Sequence, residues 1–121
     1  MEERVKFIEH QGQRILVQDL TDSVSAEENM GIFDRTQVII LSQPSRSVRL
    51  LTNVTNAHYS SQAVERLKQF SRTITPHMLA SAAVGVTGIK KIVLQSLIRL
   101  TGRKITLFDT VEQALDWLAE Q

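Results

Sequence analysis

The stretch Ala83-Val84-Gly85-Val86-Thr87-Gly88-Ile89-Lys90-Lys91 has the outline of an anion-binding turn: an apolar run, two glycines, then two lysines opening a helical pattern. A phosphate loop of the Walker type needs Gly, four residues and then Gly-Lys-Ser/Thr, because consecutive backbone N–H groups must wrap the phosphates. Here Gly85 and Gly88 are three positions apart, and Lys91 is followed by Ile92. A dinucleotide fingerprint needs Gly-x-Gly-x-x-Gly, which this stretch also lacks. What remains is either a tight corner or a weak anion site built from Thr87, Gly88, Lys90 and Lys91. Lysines in a first helical turn meet the positive end of the helix dipole and are disfavoured there. An anion held by the free N–H groups of residues 88–90 would reverse that sign. The spacing predicts Gly88 as the turn residue, Thr87 as the side-chain cap and Lys90 leaning over the turn.

Ser60 and Ser61 stand together where another helical pattern begins. A serine there caps the helix. It is also a candidate phosphoacceptor, because a phosphate would bring about two negative charges to a positive helix end. The histidines, His10, His58 and His77, have no metal-ligand spacing. No acidic residue lies between Val48 and Val64 to orient His58 beside Ser60, so no catalytic triad can be read. With no cysteine there is no thiol nucleophile and no disulfide. We therefore expect no catalytic residue, no metal, no cofactor and no enzymatic activity. Lys90, Lys91, Arg99, Arg103 and Lys104 form a local basic cluster without the interleaved aromatic residues that stack bases. The net charge is only +1, so no nucleic-acid partner is expected either.

These residues need a scaffold. The 121 residues, 42% hydrophobic and 22% charged, suit one domain over residues 1–121 with an ordinary core. The N-terminus is charged, and no apolar run approaches the ~20 residues that span a bilayer. A cytoplasmic protein with no membrane span is the expectation. Val5–Ile8 and Arg14–Gln18 read as a hairpin across Gln11-Gly12-Gln13. Ser25, with Glu28 as its capping-box partner, opens a helix from about Ala26 to Ser42. Its predicted inner face is Met30, Phe33, Gln37, Ile40 and Leu41. Residues 47–54 form a buried strand. A helix capped by Ser60 or Ser61 follows, with Ala63, Val64, Leu67, Phe70 and Ile74 on one face, stopped by Pro76. Next come a strand over Ala82–Val86, a helix over Gly88–Thr101 with Gly102 beyond its end, a strand over Ile105–Phe108, and a helix opened by Thr110 and Gln113. Phe108 and Trp117 read as core. The order ββαβαβαβα predicts an α/β fold, with the strands at 48–51, 82–86 and 105–108 as parallel neighbours under helices.

The helix over 88–101 is apolar around much of its circumference. Ile89, Ile92, Val93, Leu97 and Leu100 share one face, and Leu94 and Ile98 widen it beyond the stripe that a sheet-packed helix needs. The excess either packs beneath the last helix or forms a partner surface. Leu94 and Ile98 are the candidate interface residues, and a homodimer is one form that interface could take.

The segment from Ala82 onward resembles the SpoIIAA-like branch of the STAS superfamily. The resemblance rests on the strand Ala83-Val84-Gly85, on Phe108-Asp109 ending a short strand, and on Glu112, Ala114 and Trp117-Leu118 in the closing helix. These motifs lie in the last third, while the element order agrees along the whole chain. The resemblance implies a mixed sheet of about five strands, an N-terminal hairpin then parallel strands, with about four helices. It also supports helix rather than strand at Val38–Leu41. Many such domains are partner-binding switches, some with a phosphorylated serine in an Asp-Ser-Ser-Gly-like sequence. The corresponding residues here are Tyr59-Ser60-Ser61-Gln62, without that Asp and Gly. Other relatives are similar to lipid-binding domains. The resemblance thus implies a non-catalytic regulatory or protein-interaction domain. The alternative is a binder of a small anionic or amphipathic ligand, such as a nucleotide or a lipid.

Overall fold

The computed structural model describes residues 3–121. Strands β1 (Val5–His10) and β2 (Gln13–Asp19) form the expected hairpin, followed by helix α1 (Ala26–Leu41), strand β3 (Val48–Asn53) and helix α2 (Ser61–Ile74). A 3₁₀ turn at Thr75–His77 leads into β4 (Met78–Val84), α3 (Ile89–Thr101), β5 (Thr106–Phe108) and α4 (Val111–Ala119). The five strands lie in sequence order, β1-β2-β3-β4-β5. The β1–β2 pair is antiparallel and every other neighbouring pair is parallel. The fold is therefore α/β with the order ββαβαβαβα. Among the described residues no helix is long and apolar enough to cross a membrane.

Strand alternation divides the core in two. Leu16 and Leu50 pack with Ile32, Phe33 and Ile40 of α1 and with Phe70 and Ile74 of α2. Ile15, Leu51, Ala82 and Val84 pack with Ala114 and Leu118 of α4 on the opposite face. Successive residues such as Ile15 and Leu16 are thus both fully buried. That is why β2 and β3 read as continuous apolar runs rather than as alternating strands.

Several local expectations need correction. The buried stripe of α1 is Asn29, Ile32, Phe33, Thr36 and Ile40, while Leu41 and Val38 are exposed. Two polar residues turn inward because their hydrogen bonds are met there. Asn29 donates from Nδ2 to the His58 carbonyl (2.8 Å) and accepts from the Ser23 hydroxyl. Thr36 returns its hydroxyl to the Ile32 carbonyl (2.8 Å). Strand β4 begins four residues earlier than expected, directly after the Pro76 turn. It stops before Gly85, whose φ of 83° leaves the strand region. Ser25 accepts from the Glu28 N–H (3.1 Å), but the Glu28 carboxylate turns to Arg4 (3.6 Å) instead of closing a capping box. The box at Thr110 and Gln113 is complete.

Candidate ligand-binding site

The α1/α2/α3 face of the sheet is apolar except for one patch. Gln18 of β2 pairs with Thr52 of β3, and Ser81 of β4 pairs with Leu50, one step further along the same face. Gln18, Ser81 and Ser71 of α2 are 1%, 3% and 1% exposed. Gln18 donates from Nε2 to Thr52 Oγ1 (3.2 Å), but its Oε1 and the Ser81 hydroxyl are enclosed without a hydrogen-bond partner in the protein. The Thr52 hydroxyl can donate or accept, so the Gln18 amide can turn either end to the space in front of it.

That space lies beneath α3. A cavity of about 70 Å³ runs between the sheet and the helix, lined from above by Lys90, Val93, Leu94 and Leu97. Their spacing of three, four and seven residues places them on one helical face. Leu97 is the buried residue of α3, whereas Ile89 and Ile92 are 76% and 62% exposed. The helix packs against α2 and faces the sheet across the cavity.

Arg103 closes the far end. Gly102 adopts a left-handed conformation, and its N–H bonds back to the Ile98 carbonyl (2.8 Å), ending α3. The Thr101 hydroxyl donates to the Leu97 carbonyl (2.8 Å) and accepts the Arg103 N–H (3.1 Å). This turn sends the Arg103 side chain back under the helix, where Nη2 donates to Ser71 Oγ (3.2 Å). Nε and Nη1 are enclosed without a partner in the protein. Burial pulls the guanidinium pKa down to about 10. No Asp or Glu is among the residues lining the cavity, whose ionisable side chains are Tyr59, Lys90 and Arg103.

A second, open space of about 790 Å³ lies at the carboxyl ends of β3 and β4. The loops after these strands form it, with Thr55, His58, Ser61, Gly85 and Thr87 on its walls. This is the edge of a parallel sheet where α/β proteins place ligands. Tyr59, Lys90 and Val93 line both spaces, so they form the neck between groove and cavity. Burial lowers the Lys90 pKa and raises that of Tyr59.

Of the residues singled out from sequence, Ser60 is the cap of α2, accepting from the Ala63 N–H (3.1 Å). Ser61 is exposed on the groove wall. Thr87 does not cap α3. Gly88 takes that position with φ 57° and ψ −131°, and no side chain caps it. The Lys90 N–H is engaged by the Thr87 carbonyl (3.2 Å), so it is not free for an anion. Lys90 donates from Nζ to the Val54 carbonyl (2.7 Å). Lys91 is exposed. Leu94 lines the cavity and Ile98 is half-buried. Phe108 and Trp117 do pack in the core, with ring centroids 5.5 Å apart.

Sequence reasoning missed Gln18, Thr52, Ser71 and Ser81, and placed Arg103 in a local basic cluster. A signal did exist for two of them. Gln18 directly follows the apolar run Ile15-Leu16-Val17, and Ser81 is the polar residue of the otherwise apolar β4. Among the described residues, no group of three His, Asp or Glu could hold a metal ion. No protein-family model, curated protein or solved structure matches the chain.

Proposed function

We propose that the chain is a non-catalytic binding domain whose ligand is a small organic anion with an apolar body, held beneath α3 by Arg103. One observation carries this reading: the Arg103 Nε and Nη1 groups are enclosed, unpartnered, in a cavity lined by no carboxylate. A half-buried guanidinium with Nε and Nη1 enclosed and only a neutral hydroxyl partner is costly. Water in the cavity would satisfy donors without supplying charge. A carboxylate supplies both the acceptor oxygens and the charge. Native mass spectrometry of the purified protein should show a copurified organic acid, or hexanoate added to the protein should shift the amide resonances of residues around the cavity. Arg103→Met should weaken hexanoate at least about tenfold, since a charged hydrogen bond is worth about 1.5–3 kcal/mol. Equal binding by wild type and variant would mean that Arg103 does not hold the acid, and no bound acid with no resonance shift at millimolar hexanoate would mean that the cavity holds water alone.

A regulatory role through a protein partner or self-association is the second reading. The observation favouring it is the exposure of Ile89, Ile92 and Leu100 along the outer side of α3. Membership of the STAS superfamily is likewise a proposal, supported by the element order and by Ser60 at the start of α2. In that setting Ser61, exposed on the groove wall, is the better placed phosphoacceptor, because Ser60 is engaged as the cap. A cytoplasmic location accords with the absence of cysteine.

A further inference from the structure

We infer that the ligand of this cavity is an elongated α,ω-dicarboxylate, one carboxylate read by Arg103 at the inner end and the other by Lys90 at the neck. The inference rests on the proposed anion site and adds a second anchoring point to it. Lys90 lies in the first turn of α3, and Arg103 lies two residues past its last. At 1.5 Å per residue their backbones are about 20 Å apart along the helix axis. Both side chains nonetheless fold under the helix to line one cavity. Between them α3 contributes Val93, Leu94 and Leu97, and the sheet contributes Leu50, Ala82 and Ala83. The space thus has a cation at each end and an apolar wall along α3, with the polar patch of Gln18, Thr52 and Ser81 on the sheet side.

Both cations are held by neutral oxygens: Lys90 by the Val54 carbonyl and Arg103 by the Ser71 hydroxyl. The ion pairs among the described residues involve Arg4, His10, Arg66 and Lys68, and neither Lys90 nor Arg103 is among them. Lys90 keeps two further N–H groups for a ligand. A monocarboxylate would neutralise one end and leave the other cation without a charged partner. A dicarboxylate of matching length neutralises both, while its methylene chain covers the apolar middle. A cavity of about 70 Å³ is short of room for a long chain. The longer members therefore require α3 to move outward.

The test is calorimetric titration of the intact chain with succinate, adipate, suberate and sebacate, each against the monocarboxylate of equal carbon number. One dicarboxylate should bind about tenfold more tightly than its monocarboxylate, with a clear optimum of length. Lys90→Met should erase that preference, and Arg103→Met should weaken both acids. Monocarboxylates that bind in an Arg103-dependent way but equal or exceed the dicarboxylates would overturn the two-ended ligand and leave the anion site standing. Failure of every acid to bind the wild type would remove both. The wild-type comparison decides even if a variant folds poorly.

Discussion

The tightest constraint at the residue scale is at Gly85. A Cβ there would fall 2.5–2.7 Å from the Thr55 backbone N, Cα and Oγ1, on a backbone already at φ 83°. The loops after β3 and β4 therefore close on each other only through a glycine. Gly85→Ala should cost about 1–3 kcal/mol. Gly88→Ala, at φ 57° and ψ −131° but with its Cβ in open space, should cost less, about 1–2 kcal/mol from backbone strain without a clash. Urea unfolding of the two variants checks the order. Ser60→Ala should lose about 1 kcal/mol as the cap goes, and Ser61→Ala almost nothing. Tyr59 gives a pH test. Burial raises its pKa above the ordinary value of 10. Above pH 10 the unfolded chain therefore ionises this phenol while the native chain keeps it protonated. The unfolded state then binds fewer protons, so stability falls as pH rises from there. The chain has one tyrosine, so phenolate absorbance reports Tyr59 alone. It should emerge together with alkaline unfolding rather than at pH 10; free titration at pH 10 in the folded protein would contradict the burial.

At the scale of elements, α3 differs from its neighbours. Helix α2 is fixed by Ala63, Phe70, Ser71 and Ile74, whereas α3 buries Leu97 alone. Amide exchange in α3 should be faster than in α2, and a cavity ligand should slow it. The placement of Leu94 in the cavity wall moves the test of self-association to the exposed residues. Ile89→Lys with Ile92→Lys should lower any oligomer seen in sedimentation without unfolding the chain, whereas Leu94→Lys would put a charge into the cavity. The helices and their ends were legible in sequence because their signals are local. Ser25, Thr110 with Gln113, and Gly102 each act within four residues of their own position. The inner face of α1 was not legible, because Asn29 turns inward for a carbonyl twenty-nine residues away at His58. Periodicity counts apolar residues and gives a satisfied buried amide no weight.

The whole molecule is a sheet covered unequally, by α1, α2 and α3 on one face and by α4 on the other. Strand order followed from the element order, since parallel strands joined by right-handed crossovers leave few arrangements. The site did not follow. Its polar residues come from β2, β3, β4, α2 and the turn after α3, and no spacing along the chain links Gln18 to Arg103. An arginine after a helix-ending glycine reads as solvent-exposed until the left-handed turn at Gly102 folds it back under α3. That geometry sets a trade between stability and binding across the molecule. At neutral pH the Arg103 guanidinium is charged in both the folded and unfolded chain, and only the folded chain carries the cost of enclosing it. The cost is relieved as pH climbs above about 10, because the folded chain then loses this proton before the unfolded chain does, and stability rises relative to a chain without this group. Arg103→Met removes the charge and keeps an apolar stem. Without ligand it should stabilise the protein at neutral pH by about 1–3 kcal/mol, or roughly 3–6 °C for each kcal/mol at this chain length. A saturating carboxylate should raise the melting temperature of the wild type and leave that of the variant where it was. A ligand-free Arg103→Met chain that melts below the wild type would instead make the arginine a structural prop, held by Ser71 and by water, and would remove the reason to look for an anion beside it.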